Sequence, residues 1–426
     1  MKHIVVVVPA LALALAACAD VPVPSEPHLV GPPQFAAGIV VGTETRITTD
    51  PADQYGPRIE GDRIVWQDFR NGNWDTYLYD PNELSTETAI SIDPAQQQSP
   101  RISGDRIVWE DYRNGNADIY LYDPATGETQ ITNDDVGQNS PDISGNRVVW
   151  AEGPPGGKDI YLYDLATGTE PITTAPSDQL IPKISGDRIV WQDHRSGDLD
   201  IYLYNLATHS ETGIATGSAL QRVPAISGDR IVWADNRNGN WDIYLYDLTT
   251  GRETQITADP GDQDFPAISG DLIVWQDGRN SSWDIYLYDV VTGTEAQVTN
   301  DPAVQEFPDI SGDRIVWMDD RNGNLDIYLY ELSAVLPATI EAAVDLIDDY
   351  VADGSISNDG IGQSAKAFLR QVAADVARDD YRAACARLDH FIEFVTRHAG
   401  EQIEADAAQT LLDLAQALKD TYGCGG

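Results

Sequence analysis

Residues 61–80 read GDRIVWQDFRNGNWDTYLYD, and nearly the same string returns as GDRIVWEDYRNGNADIYLYD at 104–123 and GDRIVWADNRNGNWDIYLYD at 228–247. With the looser copies there are seven, marked by Trp66, Trp109, Trp150, Trp191, Trp233, Trp275 and Trp317 at spacings of 43, 41, 41, 42, 42 and 42. A fixed period of this size belongs to propellers, solenoids and arrays. DRIVW and DIYLYDL carry the β-branched and aromatic alternation of strands, and NGN between them is a hairpin turn. ETQIT supplies a third strand and the short P-x-I-S segment a fourth. Four short antiparallel strands per unit make one propeller blade.

The ends of the array give the count. The seventh unit stops after DIYLYEL (326–332), without the strand that TGTEAQVT forms in the sixth. An orphan copy, GTETRITTDP (42–51), precedes the first Trp. The expectation is an all-β seven-bladed propeller over 42–333, its ring closed by the N-terminal strand at residues 43–50, with no exposed sheet edge left to pair elsewhere.

The repeated GDRIVW…DIYLYD with ITxDP resembles the repeats of TolB-like propellers, over about 290 residues. That resemblance implies the propeller fold and an exported protein. It departs from TolB in having only a Pro-rich stretch, and no α/β domain, before the propeller. A Tol-Pal role does not carry over.

Composition narrows the partners. With 69 Asp+Glu against 27 Lys+Arg the formal charge is −42. Such a surface repels phosphate backbones and anionic membranes, so nucleic acid is excluded as a partner. The acidity fits either a halophilic source or an ordinary acidic exported protein. The first residues, MKHIVVVVPALALALAAC, have a basic start and an apolar run too short to span a bilayer comfortably. Residues 1–17 therefore read as a signal peptide. Leu15–Cys18, LAAC, resembles a bacterial lipobox, which implies lipidation at Cys18 and anchorage to the membrane through lipid alone. Residues 18–41, with five Pro, read as a tether.

Comparing the seven copies separates what a blade needs from what varies. The seven Trp end apolar strands and are assigned to blade-to-blade packing. An Asp opens each Tyr-x-Tyr strand (Asp75, Asp118, Asp159, Asp200, Asp242, Asp284, Asp326), and a second follows the Trp in six units, with Glu152 in the third. The oxygen spacing is that of a Ca²⁺ loop. Yet Arg70, Arg113, Arg195, Arg237, Arg279 and Arg321 already bring positive charge, so an Arg–Asp brace is the preferred reading over calcium. No other cofactor or metal is expected. Gln54, Gln97, Gln138, Gln179, Gln221, Gln263 and Gln305 recur three residues before the Pro of each inner strand. They form a ring near one channel mouth, assigned to satisfying backbone groups.

Function is sought where the copies differ. The loops entering the inner strands carry Tyr55, Phe265 and Phe307, and the basic Lys183 and Arg222. Trp74, Trp241 and Trp283 flank the hairpin in only three blades. These six aromatic residues are the candidate binding residues for a sugar or protein; covering neighbouring hairpins is the alternative for the Trp. No catalytic residues are assigned. The propeller has two His (His194, His209) and no Cys, whereas TolB-like lyases depend on clustered His, and the Gly-x-Ser-x-Gly elbow of propeller peptidases is absent.

After Pro337 the periodicity becomes helical, and 337–426 reads as four amphipathic helices in a small bundle. Leu388, Phe391, Ile392 and Val395 form the core stripe of the third. ARLDHFIEFVTRHAGEQIEADAAQTLLDLAQAL (386–418) resembles the FIMAH-type module of bacterial exported proteins. Cys385 and Cys424 are expected to form a disulfide in an oxidising compartment. The reading as a whole is a monomeric, non-catalytic envelope module that binds a protein or glycan. The rival is a carboxylate-based polysaccharide lyase or hydrolase acting at the channel mouth.

Overall fold

The computed structural model describes residues 36–82, 87–337, 340–357, 359–376, 378, 380–422 and 424. The signal segment, Cys18 and tether residues 18–35 lie outside them. Blade one consists of Gln54–Glu60, Arg63–Asp68, Asp75–Tyr79 and Glu87–Ser91, from inner to outer strand. Five further blades follow the same order, ending with Gln263–Gln297 as blade six. Blade seven has three strands of its own, Gln305–Ser311, Arg314–Asp319 and Asp326–Pro337. Its fourth is the N-terminal strand Ala36–Arg46, antiparallel from Gly38↔Pro337 to Arg46↔Tyr328.

That closing strand starts inside the stretch read as tether, and its partner runs to Pro337, past the expected limit at 333. The run AAGIVV, which the Pro-rich sequence before it made look like linker, pairs with the continuation of blade seven's third strand. Ala36–Ile39 also pairs in parallel with Thr294–Gln297 of blade six, so blades six and seven form one eight-stranded sheet. Gly42 sits at the bulge in this seam, where a Cβ would run into the Glu331 carbonyl and the Tyr330 ring.

All seven repeat Trp are fully buried. Trp66 packs among Ile59 and Ile64 of its own blade and Val316, Ile327 and Leu329 of blade seven, and the other blades repeat this arrangement with their predecessors. Truncating any of them to Ala would cost roughly 3–5 kcal/mol. On one face two rings of polar contacts latch successive blades. The turn glycine, held at φ 57–60° in every blade, donates its N–H to the preceding blade: to Glu60 from Gly104, and to a Ser hydroxyl in the other six. Beside them Arg147 meets Asp187 at 2.6 Å, Arg188 meets Asp229 at 2.5 Å and Arg314 meets Asp62 at 2.6 Å. Arg63, Arg106 and Arg230 make equivalent bonds to Asp105, Asn146 and Asp271. Leu272 takes the Arg position at the junction of blades six and seven, where the closing strand spans both blades.

The C-terminal region is four helices, α1 (Ile340–Asp353), α2 (Asp359–Val376), α3 (Tyr381–His398) and α4 (Ala405–Thr421). Leu388, Phe391 and Val395 are buried in its core with Leu369, Leu411 and Leu418, and Ile392 packs at the edge. Asp380 caps α3 by accepting the Ala383 N–H at 3.1 Å. Cys385 and Cys424 are joined in a disulfide, their Cα atoms 5.4 Å apart. α4 lies against the closing strand. Among the described residues no helix is long and apolar enough to cross a membrane.

Candidate functional site: the channel mouth

The residues that recur in every hairpin are consumed by the blade. In blade six, Trp275 Nε1 donates to Asp277 at 2.9 Å, and Arg279 grips the same carboxylate through Nε (2.9 Å) and Nη2 (2.6 Å). Arg279 also meets Glu295 of the outer strand at 2.7 Å and lies 4.2 Å over the Tyr286 ring, which stacks on Trp275. Six blades share the Arg–Asp–Tyr unit; in blade seven the outer-strand Glu is Glu44 of the closing strand, 2.7 Å from Arg321. The Asp that opens the Tyr-x-Tyr strand accepts from amide side chains in five blades, as Asp75 does from Asn71 at 2.6 Å and Asn73 at 2.7 Å; Asp159 accepts from the Thr173 hydroxyl and Asp200 from the Gly217 N–H. In the five blades that carry both, guanidinium and amide donors thus occupy the carboxylates a calcium ion would need. Among the described residues no three His, Cys, Asp or Glu side chains gather as metal ligands. In blade three Glu152 accepts from Trp150 at 2.9 Å with Pro154 in the Arg position, and burial pushes its carboxyl up.

The Gln ring is buried beneath the mouth. Gln97, Gln179 and Gln263 donate to the backbone carbonyls of Ala95, Ser177 and Gly261 at 2.7–2.9 Å. Two residues on, each inner strand bulges. Gly56, Ser99, Ser140, Ile181, Val223, Phe265 and Phe307 all sit there with φ between 51 and 64°. Left-handed φ is unfavourable for any side chain and worst for branched ones, so Ile181 and Val223 hold strain of about 1–3 kcal/mol each. Partners hold the bulge in place. Gln67, Glu110, Gln192 and Gln276 accept the bulge N–H of the next blade at 2.5–3.1 Å. Blade five has Ala234 at that position, and Phe265 N–H turns to Asp264 instead, at 3.0 Å.

The bulge brings the variable residues together. Trp74, Tyr55, Phe307 and Phe265 form a continuous chain of rings, with centroids 6.2, 5.1 and 4.5 Å apart. Trp241 joins the mouth through Arg222, whose guanidinium lies 3.7 Å over its ring and pairs with Asp264. Trp283 stands apart, over Gly278. Four of the six candidate binding residues therefore form one crescent.

Below the crescent the residue after each inner-strand Pro faces the channel: Arg58, Arg101, Asp142, Lys183, Ala225, Ala267 and Asp309. Two connected cavities of about 390 and 180 Å³ share Arg58, Arg101, Lys183, Val223, Phe265 and Phe307 in their walls. Asp142 accepts the Ile184 N–H at 2.8 Å and lies 3.6 Å from Arg101; Asp309 accepts the Ile59 N–H at 2.9 Å. Arg58, Arg101 and the two aspartates were not singled out from sequence. The signal was the last letter of each loop, GPR, SPR, SPD, IPK, VPA, FPA and FPD, read with strand alternation beyond the bulge. Desolvation, then repulsion from Arg101, pushes the Lys183 ammonium down to about 7. Desolvation and Arg58 push Arg101 down to about 10.

Residues 340–420 match the FIMAH domain. No curated protein matches the chain at a significant level. Among solved structures, an oligogalacturonate lyase in complex with manganese aligns at 16% identity and TM-score 0.53, over 71% of this chain and 96% of that one. The β-propeller domain of the Trilobed protease from Pyrococcus furiosus aligns at 13% identity and TM-score 0.55, over 68% and 96%. TolB from Acinetobacter baumannii aligns at 17% identity and TM-score 0.44, over 65% and 66%. For the lyase and the protease domain, at these identities, the shared property is the propeller fold.

Proposed function

We propose that this protein is an exported, non-catalytic binding module of the cell envelope, lipid-anchored through Cys18 at the periplasmic face of an outer membrane or at the cell surface. Its channel mouth receives a protein or glycan partner. The observation that carries the reading is the mouth itself. A ring chain of four aromatics stands above three cations, two of the rings (Phe265 and Phe307) on bulges held in unfavourable backbone conformations, in a chain of charge −42. Strain of this kind is a feature of ligand clamps. The Cys385–Cys424 bridge fits an oxidising compartment. Propellers of this fold include enzymes, yet here the channel carboxylates Asp142 and Asp309 each have an oxygen committed to a backbone amide, which argues against a free acid–base pair. Calcium is not invoked.

Site-specific photocrosslinking in the native host tests this. A benzoylphenylalanine at Phe307 or Tyr55 is expected to capture a partner that the same probe at Val291, exposed on the outer rim, does not. Equal capture from both positions, or none from the mouth, refutes the assignment.

A further inference from the structure

We infer that the channel holds one carboxylate carried on an apolar group, with Lys183 as its charge partner and the Val223–Phe265–Phe307 wall as the seat of the apolar part. The inference rests on the mouth being a binding site and names the chemistry of what enters it.

The channel has a charge left over. Among the residues lining the inner cavity, Arg58, Arg101 and Lys183 stand against Asp142 and Asp309, a surplus of one cation; Glu110, which accepts the Ser140 N–H, acts on Arg101 from outside that wall. Arg58 and Arg101 each spend an Nη1 donor on the carbonyl of the preceding Pro, at 2.6 and 2.9 Å. Lys183 makes no hydrogen bond or ion pair with any described residue, although its ammonium lies in the walls of both cavities. Arg101 Nε is likewise buried without a hydrogen-bond acceptor. Lys183 is half-buried, and a cation withdrawn from water without a partner is costly to keep. One negative charge placed between these donors would balance the inner cavity wall and give Lys183 a partner. At the mouth Arg222 is already matched by Asp264, so the surplus lies deeper in the channel.

Size and wall chemistry complete the description. A cavity of about 390 Å³ takes a small acid or the last residues of a chain, not a folded domain. Its apolar side is made by Ile181, Val223, Phe265 and Phe307. A polypeptide carboxyl terminus ending in an apolar residue presents this chemistry, and so does a free aryl- or alkyl-carboxylic acid.

Proton linkage gives an independent signature. The charged groups acting on Lys183 are Arg101, Asp142, Arg58 and Asp309, from blades two, three, one and seven. Blade five contributes Arg222, paired with Asp264 of blade six, and the channel-facing residues of blades five and six, Ala225 and Ala267, are neutral. With its ammonium held near 7, Lys183 is partly neutral at slightly alkaline pH. An arriving carboxylate favours the protonated form and therefore draws in a proton.

Titration calorimetry on the full chain, in two buffers of different ionisation enthalpy, tests the assignment. The probes are acetyl-Gly-Gly-Phe with a free carboxylate, the same peptide as its amide, and 3-phenylpropionate. The free acid is expected to bind at least about 10-fold more tightly than the amide. Lys183→Met should abolish that difference, and binding at pH 8 should take up protons in the wild type only. Tighter binding of the peptide identifies a chain end as the source; equal or tighter binding of phenylpropionate identifies a small acid. Lys183→Met removes an unpartnered charge, so its unfolding midpoint should not fall, which separates lost binding from lost fold. Acid and amide binding alike, an unaffected Lys183→Met, or no binding of any probe overturns the assignment. If mouth crosslinks persist in that case, only the carboxylate chemistry falls; if they are absent too, the binding reading falls with it.

Discussion

Replacing Arg279 with Met removes the guanidinium that compensates Asp277, a carboxylate with no exposure to solvent. Two bonds to Asp277 disappear, along with the 2.7 Å bond to Glu295 and the contact over Tyr286. Only Trp275 Nε1 and the residue 279 backbone N–H, at 2.9 and 3.0 Å, remain to solvate the charge. Stripping the partner from a buried ion costs about 3–5 kcal/mol. The geometry also shows where that loss arises, because it comes from the stranded charge and not from the missing Arg. Arg279→Met combined with Asp277→Asn, which keeps the Trp275 acceptor and drops the charge, should recover at least about 2 kcal/mol. Urea unfolding followed by Trp fluorescence at pH 7 measures both variants against wild type. A single-variant loss below about 1 kcal/mol, or a double variant no more stable than the single, would refute the claim that the recurrent Arg is a charge brace. Blade three is a natural version of the experiment: it lacks the Arg, and its acid is a Glu whose carboxyl burial has pushed up.

Four other perturbations follow from the structure. Gly42→Ala drives a methyl into the Glu331 carbonyl and the Tyr330 ring, and should lower propeller stability by about 1–3 kcal/mol in thermal melts, with the helical region unfolding as before. Reducing the Cys385–Cys424 bridge, which spans 39 residues, should cost the helical region about 4 kcal/mol and leave the propeller transition in place; a calorimetric scan with and without dithiothreitol reads both. Leu272→Arg, facing Asp313, should complete the inter-blade latch ring and raise the melting midpoint by no more than about 1 kcal/mol equivalent, an increment that salt should erase. Burial pushes Asp75, Asp118, Asp159, Asp242 and Asp284 above the ordinary carboxylate value. A carboxyl raised in the folded state contributes stability that is complete below its ordinary value of about 4 and lost as pH rises through the folded one, so the melting temperature should be higher at pH 5 than at pH 7.5. A flat or opposite profile refutes that reading.

The propeller was legible because each blade is local: Trp66 and its cross-strand partner Tyr77 lie eleven residues apart, and the pattern repeats. The closing strand was legible from GTETRIT, since Glu44 stands where Glu295 does in blade six. Its first six residues were not, because their partners are Thr294–Gln297 of blade six and residues 334–337 at the far end of the array, and nothing nearby in the sequence announces them. The mouth was half legible. Tyr55, Phe265 and Phe307 stood out as variable aromatics, and Lys183 as a rare Lys. Their convergence with Arg58 and Arg101 depends on the left-handed bulge, which re-aims the strand without any Gly to mark it in six of seven blades.

The closing strand also fixes an order of events. Six blades each come from fewer than 40 contiguous residues, so each can form as soon as it leaves the ribosome. The strand Ala36–Arg46 emerges before all of them, and its antiparallel partner appears only with residues 328–337. Joining ends so far apart carries a loop-closure entropy of roughly 5 kcal/mol if the intervening chain is disordered, and far less once six blades have bent it round. Ring closure should therefore be a single late step, with a nearly complete propeller waiting beforehand with an open slot beside Asp326–Pro337. Segments with the TETRIT pattern compete for that slot in trans, as an exchanged arm between two chains. A circular permutant carrying residues 36–50 after residue 337 would make every blade local, and should refold without the late phase.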